Sequence, residues 1–169
     1  MRSGITVAVP EAAVADAWRE RACVSKPSHG VPPHVTLLFP FAPAPVDDAL
    51  VAEIADVVAR FPAFAVSFRS LRRFPGTLWL APEPAEPLVL LSRALAARFP
   101  AWPPYEGAFP EPVPHLTVAQ GDEALLDAAE AELAPLLPFA ANVCEVTLVE
   151  ELEPDRWRQR AAFPLAEES

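Results

Sequence analysis

Two nearly identical pentapeptides, far apart in the chain, constrain the fold more than any other feature of this sequence. Residues 33–37 read Pro-His-Val-Thr-Leu, and residues 114–118 read Pro-His-Leu-Thr-Val. They contain two of the three histidines in a chain of 169 residues. Histidine can gain or lose a proton near neutral pH, because its ordinary pKa is about 6.5. The repetition predicts a duplicated fold in which the two histidines and two threonines form one reaction centre.

Each pentapeptide alternates polar and apolar residues, which is the pattern of a β-strand. Successive side chains of a strand point to opposite faces, so His34 and Thr36 share one face, with Cα atoms roughly 6.5–7 Å apart. His115 and Thr117 share a face in the same way. If the two repeats pack about a pseudo-twofold axis, these four polar groups converge on one cleft.

The order of predicted elements also repeats after each histidine, as strand, helix, strand and strand. The predicted strands are residues 3–9, 34–39, 64–74, 77–80, 115–119, 142–150 and 156–163, and the predicted helices are residues 11–23, 47–60, 88–99 and 123–137. Strands bounded by turns and helices bounded by proline or aspartate support these assignments. The sequence therefore predicts an α+β protein with an internal repeat at supersecondary scale.

Composition and charge limit the class of partner. The chain is 52% hydrophobic and 21% charged, which is typical of a globular protein, and its net charge is −10. A negative average field repels long nucleic acid, because binding a phosphate backbone needs clustered cations. We therefore expect a small or terminal phosphate as ligand, not a long duplex, and expect the protein to act as a monomer.

The sequence offers no membrane segment, cofactor motif or metal motif. No apolar run approaches the ~20 residues needed to cross a bilayer, and the start lacks the apolar run of a signal peptide. Cys23 and Cys144 lie far apart without metal-binding spacing, which predicts free thiols. We expect a cytoplasmic protein without membrane partners and without a cofactor. Two histidines without a further ligand nearby also make a poor zinc site.

Two imidazoles and two hydroxyls around one point suit an anionic tetrahedral group such as phosphate. One imidazole can deprotonate water while the other protonates the departing oxygen, and the hydroxyls can stabilise charge on the remaining oxygens. The sequence does not distinguish the base from the acid. The competing interpretation is that both histidines are structural. The third histidine, His29, is expected to be a solvated loop residue.

These motifs resemble those of the 2H phosphoesterase superfamily, in particular its 2′-5′ RNA ligase-like branch. Residues 30–41 resemble the first block of that branch, and residues 104–107 with 113–119 resemble the second, although Glu106 stands where glycine is more typical. The resemblance implies a single domain with a bilobal pseudo-twofold fold, in which two antiparallel sheets line a central groove and helices lie outside. It implies a first lobe of about residues 30–100 and a second of about residues 101–165.

The resemblance also implies a reaction. It is the metal-independent opening of a 2′,3′-cyclic phosphate, on a nucleotide or a short RNA end, to the 2′-phosphate, with weak 2′-5′ joining in reverse. By motif position, His34 and His115 are the acid–base pair, and Thr36 and Thr117 hold the phosphate. Two alternatives stay open: a nucleotide- or RNA-binding module without turnover, and a phosphoesterase acting on a non-RNA phosphate such as an ADP-ribose cyclic phosphate.

Several further residues are candidates for contacting substrate. Phe41 and Tyr105 lie in loops beside the motifs and are predicted to stack on a base or frame the groove. Arg72 and Arg73 are predicted to reach the phosphate, since an arginine can form a fixed bidentate contact with it. By strand alternation, Phe39 is predicted to point into the core. The C-terminal arginines are predicted to form an exposed face paired with nearby acids: Arg156, Arg158 and Arg160.

Overall fold

The predicted order of strands and helices, except for one strand that is divided in two, is present in a computed structural model, which describes residues 1–107 and 112–167. The strands are β1 Ser3–Ala8, β2 His34–Leu38, β3 Phe64–Phe74, β4 Thr77–Glu83, β5 Leu116–Gln120, β6 Phe139–Val143, β7 Glu145–Glu153 and β8 Arg156–Pro164. The α-helices are α1 Asp16–Ala22, α2 Asp48–Val58, α3 Glu86–Arg98 and α4 Glu123–Leu133. Short 3-10 turns precede α1 at Pro10–Ala15 and precede β2 at Pro27–His29.

The strands form two four-stranded antiparallel sheets, which confirms the predicted α+β class. One sheet has the order β2-β1-β7-β8, and the other has the order β5-β4-β3-β6. His34 is the first residue of β2, and His115 immediately precedes β5. These two strands are each at the edge of their sheet, and they approach each other where the two sheets meet. The duplication therefore places the two motifs face to face.

Each motif strand follows an equivalent strand and helix, and precedes an equivalent helix. The first repeat runs β1, α1, β2, α2, and the second runs β4, α3, β5, α4. The helices after the motifs begin in the same way, because the Asp47 and Asp122 carboxylates each accept a hydrogen bond from a backbone N–H three residues later, at 2.9 Å. The similarity of the two repeats thus extends beyond the pentapeptides to the N-caps of the helices that follow them.

The repeats exchange strands, so the halves of the chain do not correspond to the two sheets. After α2 the chain crosses to pair β3 with β4, and after β6 it crosses back to pair β7 with β1. The predicted lobe boundaries, about 30–100 and 101–165, therefore do not coincide with the sheets. A helix of each repeat also packs on the motif strand of the other, α1 on β5 and α3 on β2.

One predicted strand, residues 142–150, is wrong as a single element. The structure contains two strands there, β6 and β7, separated at Cys144 and belonging to different sheets. β6 pairs with β3, whereas β7 pairs with β1 and β8. The sequence is continuously strand-like across this point, so only the partners of each segment reveal the break.

Candidate active site

Two adjoining cavities form a groove between the motif strands. The larger, of about 680 Å³, is lined by His115 and the smaller, of about 220 Å³, by His34. Thr36 lines both of them. Thr117 is half-buried on β5 opposite Trp79, and it does not line either cavity. The structure therefore brings three of the four predicted motif residues to one groove and places the fourth further along β5.

Both histidine rings are held by the same hydrogen bond. His34 Nδ1 lies 2.9 Å from the Pro32 carbonyl oxygen, and His115 Nδ1 lies 2.7 Å from the Val113 carbonyl oxygen. A carbonyl oxygen can only accept, so in both rings Nδ1 carries the proton and donates it. In a neutral ring the lone pair is then on Nε2. Each ring is consequently prepared to exchange a proton through the same atom, Nε2.

The protonation of His34 is strongly biased. Its pKa is lowered to about 4, mainly by burial and further by the charge of Arg19 and the nearby His115, against the hydrogen bond to Pro32, which raises it. At neutral pH the His34 ring is therefore uncharged. In that state its Nε2 can accept a proton.

Aromatic rings fix the His115 side of the groove. The Phe74 ring meets the His115 ring edge-on with centroids 5.1 Å apart, and the Trp79 ring does so at 5.9 Å. Phe74 and Trp79 themselves stack at 4.8 Å. Packing of this kind restricts the rotation of the imidazole. His115 is therefore held by ring contacts as well as by its bond to Val113.

The larger cavity combines apolar surfaces with a single arginine among its described lining residues. Those residues include Phe74, Pro103, Tyr105 and Arg93. Tyr105 lines this cavity and is 37% exposed, and its contact with a base stays a prediction. Arg93 was not a candidate from the sequence, because α3 carries no motif and only its packing against β2 brings this helix to the groove. Such a cavity suits a planar ring that carries a negative group.

The backbone beside Tyr105 is left-handed. Tyr105 and Glu106 have φ angles of 50° and 56°, which are uncommon for residues other than glycine. The Tyr105 N–H donates to the Phe39 carbonyl at 2.7 Å, which ties this turn to the end of β2. Strained backbone of this kind is concentrated at functional sites in proteins.

The smaller cavity is more polar, and it includes two residues that the sequence assigned elsewhere. His29 is half-buried and lines this cavity, instead of being fully solvated. Phe39 also lines it, so its predicted place in the core is wrong. The reason is a β-bulge in the pairing of β1 with β2, which buries both Leu37 and Leu38 and ends the alternation before Phe39.

Arg2 closes the far side of the smaller cavity. Its guanidinium lies 5.9 Å from the Phe39 ring centroid and 5.5 Å from that of Trp157. Glu151 holds it with hydrogen bonds of 3.1 and 2.9 Å. Because of this pair, the pKa of Glu151 falls to about 2. Arg2 is thus an oriented cation beside aromatic rings.

Gly30 fits the loop that borders this cavity because it has no side chain. Its φ angle is 84°, and a Cβ atom added there would lie 2.3 Å from the Trp157 carbonyl oxygen. Only glycine allows this close approach without displacement of the strand. The loop before the first motif therefore packs directly against the backbone of β8.

Three predicted substrate-binding residues do not line either cavity; the predicted place of Phe41 beside the groove is wrong, while contact of Arg72 and Arg73 with substrate stays a prediction. Phe41 is 3% exposed and packs edge-on against Phe99 and Trp102 in the core. Arg72 lies 3.8 Å from Glu83 on an exposed strand. Arg73 binds acidic side chains of α4 instead, namely Glu123, Asp127 and Glu130. Arg72 and Arg73 therefore both form ion pairs with acidic side chains.

The C-terminal arginines behave as predicted. Each is paired with an acid, Arg156 with Glu153, Arg158 with Glu150 and Arg160 with Asp48, at distances of 2.9, 3.3 and 2.8 Å. These three arginines lie on β8 and line neither cavity. The pairing with acids is as predicted, but the face is only partly exposed, because Arg160 is half-buried and Glu150 is buried.

Metal-binding and membrane-spanning features are absent from the described ranges, 1–107 and 112–167. No group of three or more histidine, cysteine, aspartate or glutamate side chains there could hold a metal ion. No described helix is both long enough and apolar enough to span a bilayer.

The sequence matches one known protein family, and the fold is similar to that of several solved structures. The sequence profile of the 2′-5′ RNA ligase superfamily matches residues 7–155. LigT of E. coli complexed with NADP+ is similar, with a TM-score of 0.60 and 21% identity over 98% of both chains. LigT of E. coli complexed with 3′-AMP gives a TM-score of 0.60 and 18% identity over 97% of both chains. TT0787 of Thermus thermophilus gives a TM-score of 0.61 and 21% identity over 100% of both chains. No curated protein sequence matches significantly.

Proposed function

Since the chain belongs to the 2′-5′ RNA ligase superfamily of 2H phosphoesterases, we propose that it opens 2′,3′-cyclic phosphates to 2′-phosphates. The substrate we propose is a nucleotide or the end of a short RNA. The observation that carries this proposal is the matched pair of rings, His34 and His115, each with Nδ1 bonded to a carbonyl two residues earlier. Such a pair can act as acid and base without rearrangement of either ring.

The reaction needs two proton transfers, one on each side of phosphorus. One imidazole takes a proton from water as the water oxygen bonds to phosphorus. The bond from phosphorus to the 3′ oxygen breaks, and the other imidazole gives that oxygen a proton. The product keeps its phosphate on the 2′ oxygen. The same sequence of steps, with an RNA 5′-hydroxyl in place of water as the attacking group, forms a 2′-5′ phosphodiester, and this is the weak joining reaction.

Thr36 and Thr117 are proposed to donate to the non-bridging oxygens of the phosphate. Thr36 lines both cavities and thus stands between the two histidines. Thr117 is half-buried at the equivalent strand position. A hydroxyl aimed at developing negative charge lowers the barrier because it needs no reorganisation during the reaction.

The larger cavity is proposed to hold the nucleoside. Tyr105 and Phe74 can stack on a base, and stacking of this kind tolerates any base. Arg93 provides a positive charge on the wall of this cavity. The structures of E. coli LigT complexed with NADP+, ATP and 3′-AMP show that a protein of this fold binds nucleotides, which supports the assignment. The net charge of −10 favours a short ligand over structured RNA.

The test is hydrolysis of the four nucleoside 2′,3′-cyclic phosphates and of an ADP-ribose cyclic phosphate, each measured with and without EDTA. We expect turnover that yields 2′-monophosphates, identified by chromatography against 2′ and 3′ standards. Binding of the same nucleotides without turnover would instead support a binding module. Turnover confined to an ADP-ribose cyclic phosphate in the same screen would point to a non-RNA substrate. Activity that disappears in EDTA would contradict the metal-independent reaction.

A second comparison tests the length of the substrate. We expect a mononucleoside cyclic phosphate and a short RNA with the same terminal cyclic phosphate to have similar kcat/KM values. A strong preference for a long structured RNA would contradict the inference drawn from the negative charge of the protein.

A further inference from the structure

A buried arginine lies directly behind the first histidine. Arg19, on α1, is only 2% exposed, whereas arginine is almost never fully buried unless it is paired. One of its guanidinium nitrogens, Nη1, lies 2.9 Å from an oxygen of Asp16, whose side chain is 37% exposed. The other terminal nitrogen, Nη2, is not used by this ion pair.

Arg19 Nη2 donates to the segment that leads into β2. Three carbonyl oxygens surround it, those of Val31 at 2.9 Å, Pro32 at 3.2 Å and Ser25 at 3.4 Å. The Pro32 oxygen also accepts the Nδ1–H bond of His34, at 2.9 Å. A single carbonyl is therefore shared between a buried guanidinium and the ring of His34.

The sharing has a direct chemical consequence. A carbonyl oxygen has two lone pairs, so it can accept from both donors at once. The guanidinium withdraws electron density from that oxygen, which leaves less of it to stabilise a positively charged imidazole on the other side. The charge of Arg19 also opposes a second positive charge nearby. Both effects favour a neutral His34 ring, while the Nδ1–H bond keeps the lone pair on Nε2.

The second motif lacks this arrangement. His115 donates to the Val113 carbonyl in the same way, but among the described residues no arginine is hydrogen-bonded to that carbonyl. Phe74 and Trp79 pack around the His115 ring instead. Both histidine rings therefore donate the same Nδ1–H bond, but only the carbonyl that accepts from His34 is also bound by an arginine among the described residues.

We propose that Arg19 is a positioning residue that keeps His34 neutral and oriented, so that His34 is the general base and His115 the general acid. This assignment of roles rests on the proposed function. In it, His34 Nε2 takes the proton of the attacking water as the new bond to phosphorus forms. The bond from phosphorus to the 3′ oxygen breaks, and that oxygen receives its proton from His115.

The lowered pKa of His34, about 4, supports the proposal, since the charge of Arg19 is one of its causes after burial. Other ionisable groups also face His34. His115, immediately before β5, is one of them, and three more line the smaller cavity together with His34, namely Arg2, His29 and Asp155. Of these groups and Arg19, it is Arg19 that also bonds to the carbonyl partner of His34.

The first test measures the proton on His34 directly, by NMR titration of the ring in the free protein. Comparison with His34→Gln assigns its signal. We expect Arg19→Met to move the His34 midpoint upward by roughly half to one pH unit, because a buried positive charge is removed. Arg19→Lys keeps the charge and should give an intermediate midpoint.

Two control variants separate charge from loosening of the segment. Arg21→Met makes the same change two residues away, at an exposed arginine that lies over the Trp18 ring at 4.8 Å, and should leave the midpoint unchanged. Asp16→Asn removes the acid paired with Arg19 and should leave the His34 midpoint unchanged or lower it. A rise in Asp16→Asn equal to that in Arg19→Met would overturn the proposal, because loss of packing would then explain both.

The second test follows the acid limb of kcat/KM against pH for a 2′,3′-cyclic nucleotide. In Arg19→Met this limb should move to higher pH by the same amount as the NMR midpoint, and in Arg21→Met it should not move. If Arg19→Met does not fold, the NMR titration and the pH profile of kcat/KM are measured on Arg19→Lys and Asp16→Asn instead. A His34 midpoint that is the same in all folded Arg19 variants as in the wild type contradicts the role of Arg19.

The two proposals can fail separately. Absence of turnover in the wild type would defeat the proposed function, while the NMR titration would still report how Arg19 acts on His34. Conversely, turnover with an acid limb that follows His115 instead of His34 would retain the phosphodiesterase and reverse the roles of the two histidines.

Discussion

The surroundings of His34 and His115 are alike in their backbone and different in their side chains. In both, Nδ1 is bonded to the carbonyl two residues earlier, and in both the following helix begins at an aspartate cap. Behind His34 lies the buried guanidinium of Arg19, whereas Phe74 and Trp79 enclose His115. Duplication thus provides two identical proton-transfer groups, and the neighbours that were not duplicated make them unequal.

The largest expected effect comes from removing either ring. His34→Ala and His115→Ala should each lower kcat for a 2′,3′-cyclic nucleotide by about 10²- to 10⁴-fold, because one proton transfer is lost in each case. Initial rates and melting temperatures measure this, with Arg156→Ala on the exposed face of β8 as a control. If a folded variant keeps the wild-type rate, the histidine that it lacks does not take part in the reaction.

The threonines test whether the symmetry of the motifs extends to the phosphate. Thr36 lines both cavities and Thr117 lines neither, so we expect unequal losses. Thr36→Val should lower kcat by roughly 10²-fold, as for other lost donors to an oxyanion, and Thr117→Val by less. Steady-state kinetics of the two isosteric variants give the ratio. Equal losses would show that the two threonines act as a matched pair.

A smaller effect, on KM, is expected from a substitution in the larger cavity, where the nucleoside is proposed to bind. Tyr105→Ala should raise KM about tenfold, since stacking on an aromatic ring contributes about 1–3 kcal/mol per base. The matched change Phe41→Ala removes a ring buried in the core, so it should lower the melting temperature with little effect on KM. Kinetics and thermal unfolding of both variants separate the two roles. An unchanged KM in Tyr105→Ala would show that the Tyr105 ring does not contact the nucleoside.

The last expected effect concerns the pH dependence of stability, not the reaction. The pKa of His34 is about 4 in the folded protein and about 6.5 in an unfolded chain. Between these values the unfolded state binds the extra proton, so His34 makes the free energy of unfolding fall as pH decreases from about 6.5 to about 4. In His34→Gln this decrease should be shallower. Urea unfolding of both proteins at several pH values in this window measures the difference.

The sequence predicted the duplicated order of elements because hydrophobic period and turn residues are local signals. It predicted the motif histidines for the same reason, since His34 and Thr36 share a face by strand alternation alone. Where alternation fails, the prediction fails with it. The β-bulge in the pairing of β1 with β2 changes the face of Phe39, and a bulge depends on the partner strand.

The arginines show what cannot be read from local pattern. Arg72 and Arg73 were predicted from the sequence to reach the phosphate, yet in the fold they pair with acids of other elements. Arg19 and Arg93 lie in ordinary helical sequence. Their importance follows from α1 and α3 packing beside the motif strands. Such packing joins residues distant in sequence, which no local pattern records.

By itself, the sequence determined the repeat, the paired histidines and the alternation that places a hydroxyl beside each of them. These are properties of short segments, fixed by backbone geometry and side-chain type. Only the tertiary structure decided that the repeats exchange strands, which arginines reach the groove, and what lies behind each ring. The proton affinity of His34 is set by burial and by the distance to Arg19, and both of these exist only once the chain has folded.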